Sequence, residues 1–254
     1  MSRTLRIGDG EVARMGLGTN RLTETPANIG FIRAAVEAGI GMIDSAHLYT
    51  GGASELTIGA ALASVERKPI VATKGGFHPG EGRRTVLAQQ IEQSLRALRV
   101  DRIDLYYLHR VDPDTPLEES VELIAEYRAA GQIDHVGLSQ VGVAEIESAQ
   151  RIVPISAVQN HFNLAERGWD EVVDYCASQG IAFVPFYPLR ADHAGVAEIA
   201  RQHGASPSQI TLAWLLHRSS QMLPIPGTLS IEHVRENVAA LDIELSDTEF
   251  AALA

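Results

Sequence analysis

Apolar residues are distributed along this chain in two alternating patterns. Short runs of four to seven residues alternate with longer stretches in which apolar positions recur every three or four residues. The short runs read as strands of a parallel sheet buried on both faces, and the longer ones as amphipathic crossover helices. Strands are predicted at RMGLGT (14–19), GMIDSA (41–46), IVATKG (70–75), IDLYYLH (103–109), HVGLSQ (135–140), ISAVQN (155–160), IAFVPFY (181–187) and MLPIPG (222–227). Helices are predicted to start near Pro26, Ser54, Thr85, Pro116, Val143, Leu164, Ser206 and Ile231, several of them at a residue suited to a helix N-terminus. Gly39 and Gly131 follow two of these stretches and suit a left-handed helix end.

Strand and helix in regular alternation over 254 residues fit an α/β chain, a closed (β/α)8 TIM barrel, better than an open doubly wound sheet, which stays as the second reading. LRIGDGEV (5–12) predicts an N-terminal β-hairpin turning at Asp9-Gly10, across the bottom of the barrel. LSDTEFAAL (245–253) predicts a short C-terminal helix capped by Ser246, with Glu249 in the capping-box position. No Pro/Gly/Ser-rich linker or charge run divides residues 1–254, so a single domain is expected.

Three of the apolar runs end on groups that hold or move protons. Asp44, Lys74 and His109 stand at or just after three successive strand ends, and Tyr49 follows the first of them by five residues. In a (β/α)8 barrel the C-terminal strand ends share one face, so these side chains can converge. A phenol is a weak acid at neutral pH, but an ammonium beside it favours the phenolate and eases proton release. A buried ammonium in turn needs a counter-charge, which Asp44 supplies. The set describes protonation of a carbonyl oxygen that becomes an alcohol, with His109 orienting that oxygen. Such a reaction needs an attacking group, and a hydride from a bound nicotinamide fills the role. There is no G-x-G-x-x-G after the first strand, only GLGTN (16–20), so a Rossmann mode of cofactor binding has no support. Lys74 as a Schiff-base nucleophile is the alternative chemistry.

The net charge of −11 removes nucleic acid as a partner, because neutralising phosphates takes a basic surface. MSRTLRIGDG has no apolar core of signal-peptide type, and no run approaches the roughly 20 apolar residues of a membrane span, so a cytoplasmic protein without a membrane partner is expected. Cys176 reads as a core thiol, and Trp169 and Trp214 as core packing. His78, His135, His161, His193, His203 and His217 lack the close spacing of a metal site, and no metal is expected. The oligomeric state is left open, with a monomer as the default.

In order and spacing, GLGTN (16–20), DSAHLYTGGASELTIGAAL (44–62), ATKGG (72–76), YLHRVDP (107–113), GQIDHVGLS (131–139), AVQNHFNL (157–164), PFYPL (185–189) and PIPGT…EHVRENVAALDIELS (224–246) resemble the aldo-keto reductase superfamily across almost the whole chain. The resemblance implies a barrel that reduces aldehydes or ketones with NADPH. It also implies that Asp44, Tyr49, Lys74 and His109 form the catalytic tetrad, with Tyr49 as general acid. Ser139 and Gln159 would bind the nicotinamide carboxamide, together with Gln140 where the family has an asparagine, and Tyr187 would stack on the ring. Gly18, Thr19, Asn20, Asp44, Pro188, Leu189, Ile225 and Pro226 would complete the cofactor contacts, with Arg190 either meeting the pyrophosphate or facing solvent. Gly227, Thr228, His233, Glu236 and Asn237 align with positions holding the adenosine end. Gly227 and His233 stand where many relatives have basic residues, and a neutral histidine is no fixed charge for a 2′-phosphate. NADPH is therefore expected, with NADH also possible. The loops GGFHPGEGRRT (75–85) and RADHAG (190–195) are short, and nothing extends past Ala254, so an open pocket and broad activity on small-molecule carbonyl substrates are expected. Candidate walls are His47, Phe77, Phe162 and Tyr187. A cofactor-binding regulatory subunit with little turnover is the remaining alternative.

Overall fold

The computed structural model describes residues 2–66, 68–191 and 195–253. Strands β1 (Thr4–Ile7) and β2 (Gly10–Ala13) pair antiparallel as the predicted hairpin. A separate parallel sheet then runs in sequence order through β3 (Gly16–Gly18), β4 (Met42–Asp44), β5 (Ile70–Gly75), β6 (Ile103–Leu108), β7 (Ile133–Ser139), β8 (Ile155–Gln159) and β9 (Ala182–Phe183). Around it lie α1 (Pro26–Glu37), α2 (Ala53–Leu62), α3 (Arg84–Leu98), α4 (Leu117–Ala129), α5 (Val143–Gln150), α6 (Asp170–Gln179), α7 (Gly195–His203), α8 (Pro207–Arg218), α9 (Ile231–Ala239) and α10 (Asp247–Ala252). This is the (β/α)8 barrel with its N-terminal hairpin and short C-terminal helix.

The eighth predicted strand closes the barrel without forming a regular ladder. Leu223 N donates to Phe183 O at 2.9 Å and Ile225 N to Pro185 O at 3.4 Å on one side. On the other, the carbonyls of Pro224 and Pro226 accept from Gly16 N at 2.9 Å and Gly18 N at 3.2 Å. Alternate residues of a strand face alternate neighbours, so both prolines face β3, and having no N–H they return nothing to it.

Two further elements differ from expectation. The helix predicted near Leu164 begins at Asp170, because the Asn163 carboxamide accepts from Ala165 N and Glu166 N, both at 2.9 Å, and folds that stretch into a turn. Helix α7 is additional; its short apolar stripe of Val196, Ile199 and Ala200 is buried. His193 lies outside the described residues.

The alternation within each strand separates two cores. Ile43, Tyr106, Leu108, Leu138 and Val158 face outward into the layer beneath the helices. Met42, Ala72, Leu105, Tyr107, Ala157, Ala182, Val184, Leu223 and Ile225 fill the barrel, where Leu5, Ile7 and Val12 of the hairpin join them. Gly137 makes room for one of these: a Cβ there would lie 2.4 Å from the Tyr107 ring. Continued two residues at a time, the inward series 42–44, 72–74, 107–109, 137–139 and 157–159 ends on Asp44, Lys74, His109, Ser139 and Gln159.

Arg14 is buried at the joint between β2 and β3 and has no carboxylate partner among the described residues. Its guanidinium donates to Met222 O at 3.1 Å, Leu216 O at 2.7 Å, Ser219 O at 2.5 Å and Ser2 O at 3.0 Å. Leu216 lies in the last turn of α8, whose dipole favours a cation there. Burial lowers the guanidinium to about 10.

Candidate active site

Because the strand ends share one face, the predicted tetrad meets. The fully buried Lys74 ammonium donates to Asp44 Oδ2 at 2.8 Å, to Ser45 O at 2.6 Å and to the Tyr49 hydroxyl oxygen at 3.5 Å. The second carboxylate oxygen of Asp44 accepts from Gln159 Nε2 at 2.8 Å. Tyr49 reaches this cluster from a 3-10 turn spanning Tyr49–Gly52, with Thr50 and Gly51 at positive φ. The His109 ring meets the Tyr49 ring edge-on, centroids 6.1 Å apart, and lies 4.8 Å from that of Phe77.

Burial and charge set the protonation states. Burial pushes the Tyr49 phenol above its ordinary value, and the Lys74 ammonium pulls it only part of the way back. The neighbouring cation therefore acts in the predicted direction, but burial outweighs it. Burial also disfavours the Lys74 charge, yet interactions with Asp44 and Tyr49 prevail and hold the lysine above its ordinary value. Burial, reinforced by Lys74, Arg110 and His78, drives His109 down to about 2, so its imidazole is neutral.

A cleft of about 560 Å³ runs over this cluster. Of the residues singled out in the sequence, Gly18, Thr19, Asn20, Asp44, Tyr49, Phe77, His109, Ser139, Gln140, Gln159, Tyr187, Pro188, Ile225 and Gly227 line it. Lys74 lies beneath. Gln140 has φ 57°, and its side-chain oxygen is occupied by His161 N at 2.8 Å. The longer side chain thus coils back onto the backbone. Tyr187 also has positive φ and is half exposed; its carbonyl accepts from Asn163 Nδ2 at 3.0 Å, and Arg190 stacks on its ring at 5.2 Å.

Leu189, Arg190, Pro226, Thr228, His233, Glu236 and Asn237 lie beyond the cleft walls. Thr228 Oγ1 and His233 Nδ1 are 3.3 Å apart at the N-terminus of α9, where Ser230 caps His233 N. The Glu236 carboxylate accepts from Ser206, the N-cap of α8, and so ties two helices together. Asn237 is buried.

Two expected substrate contacts are corrected. Phe162 is fully buried, edge-on to Phe183 at 5.7 Å and stacked on Trp214 at 6.2 Å, because the chain has turned outward past the end of β8. It belongs to the core. His47 falls on the far side of Tyr49, in a neighbouring cavity of about 380 Å³ shared with Gln90 and Gln93, its Nδ1 4.0 Å from Glu55 Oε2. Its backbone N–H donates to Lys74 O at 2.9 Å.

Sequence reasoning missed Arg21, Leu48, Arg110 and Phe186, which also line the cleft. Arg110 directly follows His109, so proximity to a strand end was the available signal. A hydroxyl chain was missed as well. Thr19 Oγ1 donates to Asp44 O at 2.8 Å, so Ser54 must donate to Thr19 and Ser45 to Ser54, each at 2.8 Å. It ties Thr19 of the cleft wall to the backbone of Asp44 and to the hydroxyl of Ser45, the two residues that hold Lys74. Among the described residues no group of His, Cys, Asp and Glu side chains is gathered to hold a metal, and no helix is long and apolar enough to cross a membrane.

The site is thus a cluster of Asp44, Tyr49, Lys74 and His109 at the strand ends of a barrel, beneath a cleft lined with amides and an exposed ring. The model of the Aldo/keto reductase family matches residues 14–194 and 191–254. An oxidoreductase of uncharacterised activity from Schizosaccharomyces pombe is 39% identical over 272 residues, covering 98% of this chain and 88% of its own. A thermostable aldo-keto reductase solved with the inhibitor epalrestat superposes with a TM-score of 0.91 at 31% identity, covering 98% of each chain. An aldo/keto reductase from Klebsiella pneumoniae, solved with NADP and acetate, gives a TM-score of 0.90 at 29% identity, covering 100% of this chain and 94% of that one. The chain belongs to the aldo/keto reductase family.

Proposed function

We propose that this protein reduces aldehydes or ketones to alcohols with a nicotinamide dinucleotide, NADPH in the first place and NADH as an alternative, and that Tyr49 delivers the proton. The observation that carries this is a single ammonium, Lys74, touching both the Asp44 carboxylate and the Tyr49 hydroxyl at the floor of the cleft. The residues fit such a cofactor: the Ser139 hydroxyl and the Gln159 carboxamide face the cleft for an amide, and the half-exposed Tyr187 ring offers a stacking face. When bound, the dinucleotide supplies the hydride. Arg21, which donates to Gly227 O at 3.2 Å, is the cation nearest the Gly18 and Asn20 end for phosphate.

The Tyr49 hydroxyl gives its proton to the carbonyl oxygen as that oxygen gains charge, and Lys74 stabilises the resulting phenolate. Neutral His109 orients the oxygen by a hydrogen bond and supplies no proton of its own. Lys74 held in its charged form argues against a Schiff-base nucleophile, which must be deprotonated. Tyr49→Phe tests the assignment: carbonyl turnover should vanish while NADPH binding, read by fluorescence quenching, stays near the wild-type value. Wild-type turnover in that variant would sink the proposal, and tight NADPH binding by the wild type without turnover of any aldehyde or ketone would favour a regulatory subunit.

A further inference from the structure

Arg110 lines the cleft beside His109, and the proton-transfer chemistry makes no use of it. Its guanidinium carbon lies 5.3 Å from the centre of the Phe77 ring, a cation–π arrangement, and among the described residues its side chain has no carboxylate partner. The backbone around it is pinned: His109 N donates to Gly75 O at 2.8 Å and Arg110 N to Gly76 O at 3.1 Å. The adjacent acid, Asp112, is not available to it. That carboxylate accepts from Gly80 N, Gly82 N, Asp114 N and Thr115 Oγ1, all between 2.8 and 2.9 Å.

The rest of the cleft sharpens the point. The carboxylate among its walls, Asp44, is taken by Lys74 and Gln159. What remains are the cations Arg21 and Arg110, in a protein whose net charge is −11. They sit across the mouth from one another, Arg21 after β3 beside the closing segment and Arg110 after β6, the fourth strand of the barrel. Arg21 lies with Gly18, Asn20 and Gly227, whereas Arg110 lies with Phe77 and His109, where the carbonyl is oriented.

A guanidinium offers a planar fork of donors that matches a carboxylate, and stacking on an aromatic ring keeps that fork in place at little entropic cost. We infer that Arg110 receives a carboxylate of the substrate, so that the preferred carbonyl compounds are aldehydes or ketones bearing an acid group on the part that lies along Phe77. The inference rests on the reductase reading and adds the substrate class.

The test compares the half-aldehyde of succinic acid with its methyl ester, which differ in charge and hardly in length. Wild-type enzyme with NADPH should favour the acid in kcat/KM by about tenfold or more, mainly through KM, and the preference should shrink as salt rises. Arg110→Gln should abolish the preference, and Arg110→Lys should keep part of it. Equal use of acid and ester by the wild type, or a preference that survives in Arg110→Gln, would overturn the inference while leaving the reductase reading intact. If neither compound is reduced, the reductase reading loses support, and calorimetry with succinate on the NADPH complex decides about the anion site. Weaker binding by Arg110→Gln than by wild type supports the site, and no difference overturns it.

Discussion

Lys74 makes three contacts with one ammonium, and losing those to Asp44 and Tyr49 has different consequences. Lys74→Met leaves the Asp44 carboxylate buried with only Gln159 to satisfy it, which should cost about 3–5 kcal/mol in chemical denaturation. It also removes the cation beside Tyr49, and turnover should fall by about 10²–10⁴-fold. The pH profile separates this chemistry from simple packing. The proposed reduction needs Tyr49 protonated, and burial holds that phenol above its ordinary value. Wild-type kcat/KM should therefore stay flat through the neutral range and fall only in alkali. In Lys74→Met the residual activity should fall at still higher pH, because the influence that lowers the phenol is gone. Neutral His109 should add no acidic limb near the usual histidine range. Phe77 and Phe162 form a second contrast: Phe162→Ala empties a core site and should cost about 3–5 kcal/mol in stability. Phe77→Ala, at the cleft wall, should act chiefly on KM.

At the level of elements, the cleft is as firm as the loops that carry it, and the β5–α3 loop is fastened by Asp112. Burial alone would raise that carboxyl, but the amides of Gly80, Asp114 and Gly82 outweigh it and hold it at about 2. A depressed carboxyl contributes stability above its unfolded value, about 3.9, and loses it as pH falls towards the folded one. Asp112→Asn should cost about 1–3 kcal/mol near neutral pH and flatten the loss of stability between those values in acid melts. Arg14 plays the corresponding part at the barrel's other end: Arg14→Met removes the donor to the carbonyls of Leu216 and Met222, leaves Ser219 O with Met222 N alone, and should lower the melting temperature. Such fastenings are where the sequence was least readable. Asp44, Lys74, His109, Ser139 and Gln159 were legible because two-residue alternation carries each inward series to a polar end. Phe162 was misread because alternation stops with β8, and nothing in QNHFN tells where the chain turns outward. His47 was misread because it follows the end of β4, where nothing in DSAHLY tells whether it lines the cleft or the cavity beside it. The prolines of the closing segment were visible, but their consequence depends on which neighbour each faces, which is a property of the barrel. Arg21 and Arg110 escaped because an arginine after a strand reads as solvated until the cleft around it is known.

For the whole molecule, the net charge of −11 and the local cations of the cleft act on an approaching dinucleotide with opposite signs and different ranges. A chain of this length has a radius of gyration of about 18 Å. In about 0.01 M salt the Debye length, about 30 Å, exceeds that radius, so the incoming anion meets the summed negative field of the protein. At about 0.15 M the length shrinks to about 8 Å, and beyond that distance the approach is screened. Arg21 then dominates only at close quarters. The association rate of NADPH, read by stopped-flow fluorescence, should therefore rise as salt is added from about 0.01 to 0.15 M, the reverse of what a basic protein shows. Arg21→Gln should associate more slowly at every salt concentration and rise more steeply with it, since that variant adds one unit of net negative charge and loses the nearby attraction. A rate that falls with salt in the wild type would mean that the cleft's own field reaches further than the protein's net charge, and that the two arginines steer the ligand from a distance as well as hold it on arrival.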